Sequence, residues 1–281
     1  MFMKPIDSLG FIGLGVMGEP MCANLLAKSG RAVYGTDIKR APVERLAARG
    51  LKACASVAEV AAGADVIFLS LPSGREVEDV CLGADGIARS GGRVHTVVDM
   101  STSPPKLMRE LGDKLAPRGL TFLDAPVPRT RQAARDGTLS IMVGGPAEAC
   151  EALRPYFSCM GTEVTHCGGH GAGQVVKILN NMVLFMTGQA LAEALTIARR
   201  AGVDGKLLFE VMAKGSSDSF ALRNHGLKAM VPGVFPADAF PVDYAIKDIT
   251  LTLDLAAQAV GARTACDLLQ AAPASSRNTG P

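Results

Sequence analysis

A lysine closely followed by two asparagines is the clearest candidate for acid–base chemistry in the sequence. The three residues lie in GAGQVVKILNN, residues 171–181. On a helix, Asn180 and Asn181 would share a face with Lys177. A lysine ammonium can protonate a carbonyl oxygen that is being reduced, and the neutral amine can take the proton of an alcohol; burial favours both roles by lowering the lysine pKa. A lysine that extends from a helix surface into water gives the same pattern, so the segment alone leaves both interpretations open.

Three glycines near the amino terminus have the spacing of a dinucleotide-binding loop. They form a G-x-G-x-x-G pattern that follows an apolar run and precedes a helix-like segment. Glycine at these positions permits a tight turn, a close approach of the backbone to a pyrophosphate, and close packing of helix on strand. Free N–H groups at the helix start add donors for the phosphates. The predicted cofactor-binding loop comprises Gly13, Leu14, Gly15, Val16, Met17 and Gly18.

An acidic residue, Asp37, ends the next apolar run. It follows the glycines by about 20 residues, where a carboxylate can accept hydrogen bonds from the adenosine ribose. Because a carboxylate there repels the 2′-phosphate of NADP, we expect NAD as the cofactor. Lys39 and Arg40 could instead contact that phosphate, which leaves NADP as a second cofactor. The alternative for Asp37 is that it only begins a turn.

A short segment at residues 123–130, LDAPVPRT, could bind an anion. Pro126 and Pro128 fix their φ angles and donate no backbone N–H, which predicts a rigid loop after a strand. The loop would present Arg129 and Thr130 to a substrate. A guanidinium can bind an anion through two parallel charge-assisted hydrogen bonds. The alternatives are that Arg129 points into solvent or pairs with Asp136.

These segments must be positioned by elements that the hydrophobic pattern predicts. Before residue 168, apolar runs alternate with helix-like stretches, which predicts an α/β fold with a doubly wound, mainly parallel sheet. The predicted strands are 9–13, 32–37, 65–71, 93–100, 120–124, 139–143 and 163–166, and the predicted helices include 17–28, 43–49, 104–116, 147–157 and 174–201. Only helix-like patterns follow. We therefore predict a cofactor-binding domain at 1–167 and an all-helical domain at 168–281, with the last dozen residues disordered.

Composition excludes several other classes of protein. The chain has 281 residues and a net charge of +2, which gives no signal for nucleic acid or a membrane surface. Its seven cysteines include no Cys-x-x-Cys pair and its four histidines lack metal-ligand spacing, so we expect reduced thiols and no metal. No signal peptide and no run of about 18 apolar residues is present, so no transmembrane helix is expected. The expectation is a soluble cytoplasmic protein.

Together these segments resemble the β-hydroxyacid dehydrogenase family, which includes 3-hydroxyisobutyrate dehydrogenases and tartronate semialdehyde (2-hydroxy-3-oxopropionate) reductases. The resemblance runs in order from about residue 9 to about residue 261, and its order makes it specific. Its motifs are GFIGLGVMGEPMCANL, SLP, DMST, DAPV, DGTLSIMVGG, GAGQVVKILNN and IKDITLTLD. It implies a Rossmann domain followed by a helical domain, NAD or NADP as cofactor, and a homodimer or tetramer.

The resemblance also implies roles for individual residues. Lys177 matches the catalytic lysine and Asn181 matches an asparagine that contacts substrate. Lys247, in IKD, matches a lysine at the nicotinamide and substrate end of the site, and Asp248 accompanies it. The remaining matches, which line the cofactor, are Leu71, Pro72 and Thr102.

Two segments depart from the family pattern. Relatives usually follow DAPV with Ser-Gly-Gly, where this chain has Pro128, Arg129 and Thr130. A minority that includes sulfolactaldehyde reductases has Gly-Arg-Thr there. Relatives also continue past VGA with further helices, whereas this chain ends in RTACDLLQAAPASSRNTGP.

The predicted function is hydride transfer between nicotinamide and a small anionic 3-hydroxy acid or its semialdehyde, of the 3-hydroxyisobutyrate or tartronate semialdehyde type. Lys177 is the predicted general acid and base. One alternative is a 3-sulfolactaldehyde reductase in which Arg129 binds the sulfonate. A second alternative, of a different class, is a catalytically silent dinucleotide-binding scaffold.

Overall fold

The structure, a computed structural model, describes residues 5–128, 130–235, 242–256 and 260–271. It divides into two compact units, Met1–Lys177 and Ile178–Pro281. The domain boundary that the sequence predicts at Gly168 stays a prediction. The predicted disorder of the carboxyl terminus falls almost entirely on residues 272–281, which lie outside the described residues.

The first unit is built on one eight-stranded sheet. Its strands are β1 (Ser8–Ile12), β2 (Ala32–Thr36), β3 (Lys52–Ala53), β4 (Val66–Leu69), β5 (Thr96–Asp99), β6 (Thr121–Asp124), β7 (Leu139–Gly144) and β8 (Gly161–Gly168). They lie in the order β3-β2-β1-β4-β5-β6-β7-β8. All neighbours pair in parallel except β6 and β7, which meet antiparallel at Asp124 and Gly144. The predicted doubly wound, mainly parallel sheet is confirmed, and its order reverses between β1 and β4.

Helices pack on both faces of this sheet. They are α1 (Gly18–Lys28), α2 (Arg40–Ala47), α3 (Val57–Gly63), α4 (Gly74–Leu82), α5 (Ile87–Ser90), α6 (Pro105–Leu115), α7 (Arg131–Asp136) and α8 (Ala147–Met160), with a 3-10 turn at Ala116–Arg118. Alternate residues of β4 enter two separate cores: Phe68 packs with residues of α1 and α8, and Ile67 packs with residues of α3 and α6. Burial on both faces explains why the strands are continuous apolar runs.

The described residues of the second unit form helices joined by turns and loops. The long helix α9 (Ala172–Arg200) starts in the first unit and continues into the second, followed by α10 (Gly205–Met212), a π-helix (Leu222–Met230), α11 (Val242–Leu255) and α12 (Val260–Gln270). One small core gathers around Phe209 and Leu222, and another around Ile249 and Cys266. The predicted helical domain is confirmed, whereas the π-helix has no signal that the sequence patterns above detect.

Helix α9 is long and apolar enough to cross a membrane by length and composition alone. An 18-residue window has a mean hydropathy of 1.3, and 22% of that window is buried. Core helices of soluble proteins meet the same two criteria, so this one helix is weak evidence for a membrane span. Counting consecutive apolar residues in the sequence misses this property because polar residues such as Lys177 and Asn181 interrupt the run.

Candidate active site

The glycine-rich loop connects the end of β1 to the start of α1. Gly13 has φ +90°, and a side chain there would collide with the carbonyl oxygen of Ser70. A side chain at Gly18 would collide with the carbonyl oxygen of Gly13. Around Gly15, in contrast, nothing lies within 4 Å of the position that a Cβ would take. Two glycines are therefore required by the packing of the loop, and the third leaves room for a ligand beside the backbone.

The remaining residues of the loop differ in exposure. Leu14 is buried in the core, Met17 is half-buried, and Val16 is 56% exposed. The loop therefore has an apolar anchor on one side and an open backbone on the other. Together with the two packed glycines, this open backbone fits the pyrophosphate of a dinucleotide.

The carboxylate of Asp37 is bonded to the glycine-rich loop. It lies just after β2, where Oδ2 accepts a hydrogen bond from the N–H of Leu14 at 2.5 Å and Oδ1 accepts one from the N–H of Lys39 at 2.7 Å. Each carboxylate oxygen can accept a further hydrogen bond, so ribose hydroxyls could still be bound. The structure thus brings Asp37 and the loop together, while the ribose contact itself stays a prediction.

Three further cofactor candidates lie at the same edge of the sheet. Leu71 and Pro72 follow β4, and Thr102 follows β5. The two loops are joined, because the N–H of Leu71 donates to Oγ of Ser101 at 2.8 Å. Since β1, β4 and β5 are parallel neighbours, their carboxyl ends share the edge at which dinucleotides bind in such folds.

Two buried aspartates end β5 and β6 side by side in register, Asp99 and Asp124. Asp99 accepts hydrogen bonds at 2.9 Å from the N–H of Ser101 and from the hydroxyl of Ser103. Burial raises the pKa of Asp99 to about 6, although these hydrogen bonds oppose the shift. Burial also raises the pKa of Asp124. The carboxyl edge of the sheet therefore contains two carboxyl groups that are costly to ionise.

Asp124 binds the start of α9. Its Oδ1 accepts from the N–H of Gly171 at 2.7 Å and its Oδ2 accepts from the N–H of Gln174 at 3.0 Å. Gly173 has no side chain to obstruct this contact, since a Cβ there would lie 2.8 Å from Oδ2 of Asp124. The carboxylate thus satisfies two of the N–H groups that the first turn of a helix leaves unpaired.

Lys177 lies one turn beyond this contact and is only 4% exposed. Its burial does not fit the alternative of a lysine that extends from a helix surface into water. The structure therefore places the predicted catalytic lysine near the beginning of a helix whose first turn is fixed to the end of β6.

The predicted substrate loop is only partly described. Arg129 lies outside the described residues. Thr130 is exposed, and its hydroxyl oxygen accepts a hydrogen bond from the N–H of Ala133 at 3.3 Å, which caps α7. Asp136, considered above as a partner of Arg129, accepts a hydrogen bond from Gln132 at 2.8 Å. A role of Arg129 and Thr130 in substrate binding stays a prediction.

In the second unit, two predicted substrate residues contact each other. Nδ2 of Asn181 donates to Oδ2 of Asp248 at 2.6 Å, and both residues are buried. Nδ2 of Asn180 donates in turn to Oδ1 of Asn181 at 3.1 Å. Lys247 is half-buried, with Nζ 5.7 Å from the ring centroid of Tyr244. This arrangement fixes the amide of Asn181, while the substrate contacts themselves remain predicted.

Sequence reasoning missed the residues that hold these elements in place. Asp99, Asp124 and Gln174 all lie in motifs quoted above, but the patterns point to their neighbours. A signal was present: Asp99 and Asp124 each end an apolar strand, and acidic residues at the carboxyl ends of adjacent parallel strands meet at one edge. Gln174 has no such signal, because its partners lie some 70 residues earlier.

Two family models match the chain and together cover most of it. Residues 8–169 match the NAD binding domain of 6-phosphogluconate dehydrogenase. Residues 171–278 match the NAD-binding domain of NADP-dependent 3-hydroxyisobutyrate dehydrogenase. The NAD(P)-binding assignment therefore has support beyond the glycine pattern.

Individual relatives agree. A 3-hydroxyisobutyrate dehydrogenase of Pseudomonas aeruginosa is 42% identical over 92% of this chain and 88% of its own length. A 2-hydroxy-3-oxopropionate reductase of Escherichia coli is 35% identical over 88% of this chain and 84% of its own. The solved structure of a Mycobacterium tuberculosis 3-hydroxyisobutyrate dehydrogenase with L-serine is 30% identical, has a TM-score of 0.86, and matches 95% of this chain and 93% of its own. The chain therefore belongs to the β-hydroxyacid dehydrogenase family of NAD(P)-dependent oxidoreductases.

Proposed function

We propose that the chain transfers a hydride between a nicotinamide cofactor and a small 3-hydroxy acid or its semialdehyde, with Lys177 as the general acid and base. The substrate class is supported by relatives named 3-hydroxyisobutyrate dehydrogenase and 2-hydroxy-3-oxopropionate reductase. One observation carries the assignment of Lys177: it is buried next to a helix start that is bonded to the carboxyl edge of the cofactor-binding sheet.

In this proposal, the first unit binds the cofactor and supplies the general acid and base. The glycine-rich loop and Asp37 would hold the pyrophosphate and ribose, and the loops after β4 and β5 would line the cofactor. When bound, nicotinamide supplies the hydride in the reducing direction and accepts it in the oxidising direction. In reduction, the ammonium of Lys177 gives a proton to the carbonyl oxygen of the semialdehyde. In oxidation, its neutral amine takes the hydroxyl proton.

For the substrate, we propose contacts with Asn181, Lys247 and Asp248. The hydrogen bond between Asn181 and Asp248 supports this, because it leaves the Asn181 side chain with a fixed orientation. A sulfonate substrate is not favoured, since none of the three relatives named above is a sulfolactaldehyde reductase. A silent scaffold is not favoured either, because the named relatives are dehydrogenases and reductases.

The test is substitution of Lys177 in the purified protein. With NADH and a panel of semialdehydes, Lys177→Ala should lower kcat by roughly 10²–10⁴-fold, the contribution of a general acid, while NADH binding stays close to wild type. Lys206→Ala is the matched control, because Lys206 is an exposed lysine of α10 that forms a surface ion pair with Glu210 at 3.6 Å. Full activity in Lys177→Ala would refute the assignment.

We also propose that the chain forms a homo-oligomer through its helices. Several large apolar side chains of the second unit are exposed in the single chain, among them Val183 and Ile197 on α9 and Leu207 and Val211 on α10, each more than half exposed. A second copy that covered them would remove apolar surface from water. Light scattering coupled to size exclusion should give at least a dimer, and a monomer at micromolar concentration would contradict the proposal.

A reducing compartment, the cytoplasm, is the proposed location. All seven cysteines are free: Cys22, Cys54, Cys81, Cys150, Cys159, Cys167 and Cys266. Free thiols in this number are typical of proteins kept under reducing conditions. Titration of the unfolded protein with a thiol reagent, after purification without reductant, should find all of them, and a shortfall from disulfide pairing would contradict the proposal.

A further inference from the structure

The side chain of Gln174 makes an unusual pair of contacts for a residue in the first turn of a helix. Its Oε1 accepts a hydrogen bond from the N–H of Ser103 at 3.1 Å, and its Nε2 donates to the carbonyl oxygen of Ser101 at 2.8 Å. These two partners lie on either side of Thr102. The side chain of Gln174 is completely buried, as is Ser103, and Ser101 is nearly so.

The backbone of Gln174 is held as firmly as its side chain. Its N–H donates to Oδ2 of Asp124, the carboxylate that also receives the N–H of Gly171. One residue thus connects the start of α9 to two strand ends: to β6 through its backbone and to the loop after β5 through its amide. All of these groups belong to the first unit.

We propose that Gln174 is a positioning residue that sets the place of Lys177 relative to the cofactor-contacting loop at Thr102. The inference rests on the proposed function, in which Lys177 transfers the proton and Thr102 lines the cofactor. Lys177 follows Gln174 by three residues, a rise of about 4.5 Å along the helix, so little freedom separates the two. A shift of about 1 Å in a reacting group can lower a rate by about 10²-fold.

The first test removes the amide. Gln174→Met keeps the length of the side chain but can neither accept from Ser103 nor donate to Ser101. We expect kcat to fall by roughly 10–100-fold, while the dissociation constant of NADH changes by less than about threefold. The matched control is Gln189→Met on the same helix, where the lost amide makes one exposed hydrogen bond to Glu193 at 3.1 Å. The control should keep the wild-type kcat.

The second test uses a conservative variant with a pH readout. In Gln174→Glu, the ionised carboxylate can accept from Ser103 but cannot donate to Ser101, whereas the protonated acid can do both. The titratable groups connected to it are the carboxyl of Asp124, which accepts from the N–H of Gln174, and the carboxyl of Asp99, which accepts from the Ser103 hydroxyl; Lys177 follows three residues later on the helix, and His170 interacts with Asp124. Burial and the two aspartates favour protonation. The ratio of the variant's kcat to the wild-type kcat should therefore rise as the pH falls from 8 to 6, a recovery that general destabilisation would not produce.

A third test asks whether Gln174 acts through Lys177. If it does, adding Gln174→Met to Lys177→Ala should lower kcat no further. An equal loss in both backgrounds would overturn the proposal, as would a wild-type kcat in Gln174→Met or a ratio in Gln174→Glu that stays well below one at every pH from 8 to 6. A failure of the proposed function gives a different result: Lys177→Ala itself then keeps full activity, and the role of Gln174 is refuted as well. If Lys177→Ala is inactive and Gln174→Met is not, only the role of Gln174 fails.

Discussion

Aspartates are buried at both edges of the sheet in the first unit, but the two edges treat them in opposite ways. At the amino edge, Asp65 precedes β4 and accepts hydrogen bonds from the N–H groups of Asp7 and Ser8, both at 2.9 Å, and from Nε of Arg93 at 3.0 Å. Burial alone would raise the pKa of Asp65, but Arg93 and the N–H donors outweigh it and lower the pKa to about 2.

At the carboxyl edge, desolvation affects the carboxyl pKa more than the hydrogen bonds do. Asp99 and Asp124 receive their hydrogen bonds from backbone N–H groups and a serine hydroxyl, all of them uncharged donors. These donors do not outweigh desolvation, so the pKa of each carboxyl is raised. The two edges of the sheet also differ in role, because the carboxyl edge carries the predicted cofactor loops and the start of α9.

The difference shows what each edge contributes. A buried carboxylate that is paired with a guanidinium ties β1, β4 and the approach to β5 together, which stabilises the fold. Buried carboxyls with only uncharged donors fix loops and a helix start while remaining costly to ionise, an arrangement that is frequent at functional sites. Substitutions at the two edges should therefore separate stability from activity.

The largest effect is expected at Gly13, on the carboxyl edge. Gly13→Ala places a Cβ at φ +90° and against the carbonyl oxygen of Ser70. We expect the free energy of unfolding to fall by roughly 3 kcal/mol, because left-handed strain and a backbone collision add. Urea unfolding of the cofactor-free protein measures this decrease in the free energy of unfolding.

Gly15→Ala is the matched control in the same loop. Since nothing lies within 4 Å of the new methyl group, stability of the cofactor-free protein should stay within about 0.5 kcal/mol of wild type. The affinity for NADH should nevertheless drop at least about tenfold, because the methyl group occupies the approach to the backbone. Equal effects of the two substitutions on stability would show that the loop is not divided between packing and binding.

A smaller loss of stability is expected for a substitution at the amino edge. Asp65→Asn removes the charge that pairs with Arg93, so at pH 7 the free energy of unfolding should fall by roughly 2 kcal/mol, with kcat unchanged. Because the folded-state pKa of Asp65 lies below its ordinary value of 3.8, the stabilisation is present above that value and is lost as the pH falls towards 2. The difference between wild type and variant should accordingly shrink between pH 4 and pH 2.

Asp7→Asn tests whether burial is what matters at this edge. Asp7 lies 3.8 Å from Arg93, but its side chain is 65% exposed, so the ion pair should contribute less than about 1 kcal/mol. A loss as large as that of Asp65→Asn would contradict the comparison of the two edges.

Much of the fold was predictable because it depends on local patterns. The strand at β4 reads as a continuous apolar run, which predicts a strand covered on both faces. The glycine loop is identified by its spacing together with the apolar run before it and the helix-like segment after it. The segment of α7 was not predicted, because Thr130 caps only a six-residue helix with a single buried residue, Ala134. The predicted start of β5 at Arg93 was also wrong: the side chain of Arg93 is bonded to Asp65, and the strand begins at Thr96.

The site was less predictable than the fold, for a physical reason. Lys177 stands out because a charged residue among apolar neighbours is unusual within its own segment. The residues that hold it in place act over long sequence distances, as Gln174 does on Ser101 and Ser103, and no short pattern encodes such contacts. Asp37 lies between these cases, since its spacing from the glycines is a known pattern but its bond to Leu14 is visible only in the structure.

The smallest change in the free energy of unfolding at pH 7 is expected for Asp99→Asn. As the pH rises, the stability difference between wild type and this variant should move in the opposite direction to the difference for Asp65→Asn. The folded-state pKa of Asp99 is about 6, above its ordinary value of 3.8, so the folded protein binds the proton more tightly than the unfolded chain. Wild-type stability from this group is therefore full below pH 3.8 and is lost as the pH rises through 6. The asparagine has no charge to bury, and its amide can still accept from Ser101 or donate to Ser103.

At pH 7 the variant has weaker hydrogen bonds to Ser101 and Ser103 but no longer buries a charge. These two effects should nearly cancel, so the free energy of unfolding should stay within about 1 kcal/mol of wild type. Between pH 4 and pH 7 the difference should move steadily in favour of the variant. Urea unfolding of both proteins at three pH values in that range measures the slope. A difference that instead moves in favour of wild type would mean that Asp99 is compensated as fully as Asp65, and the contrast between the two edges would then rest on Asp124 alone.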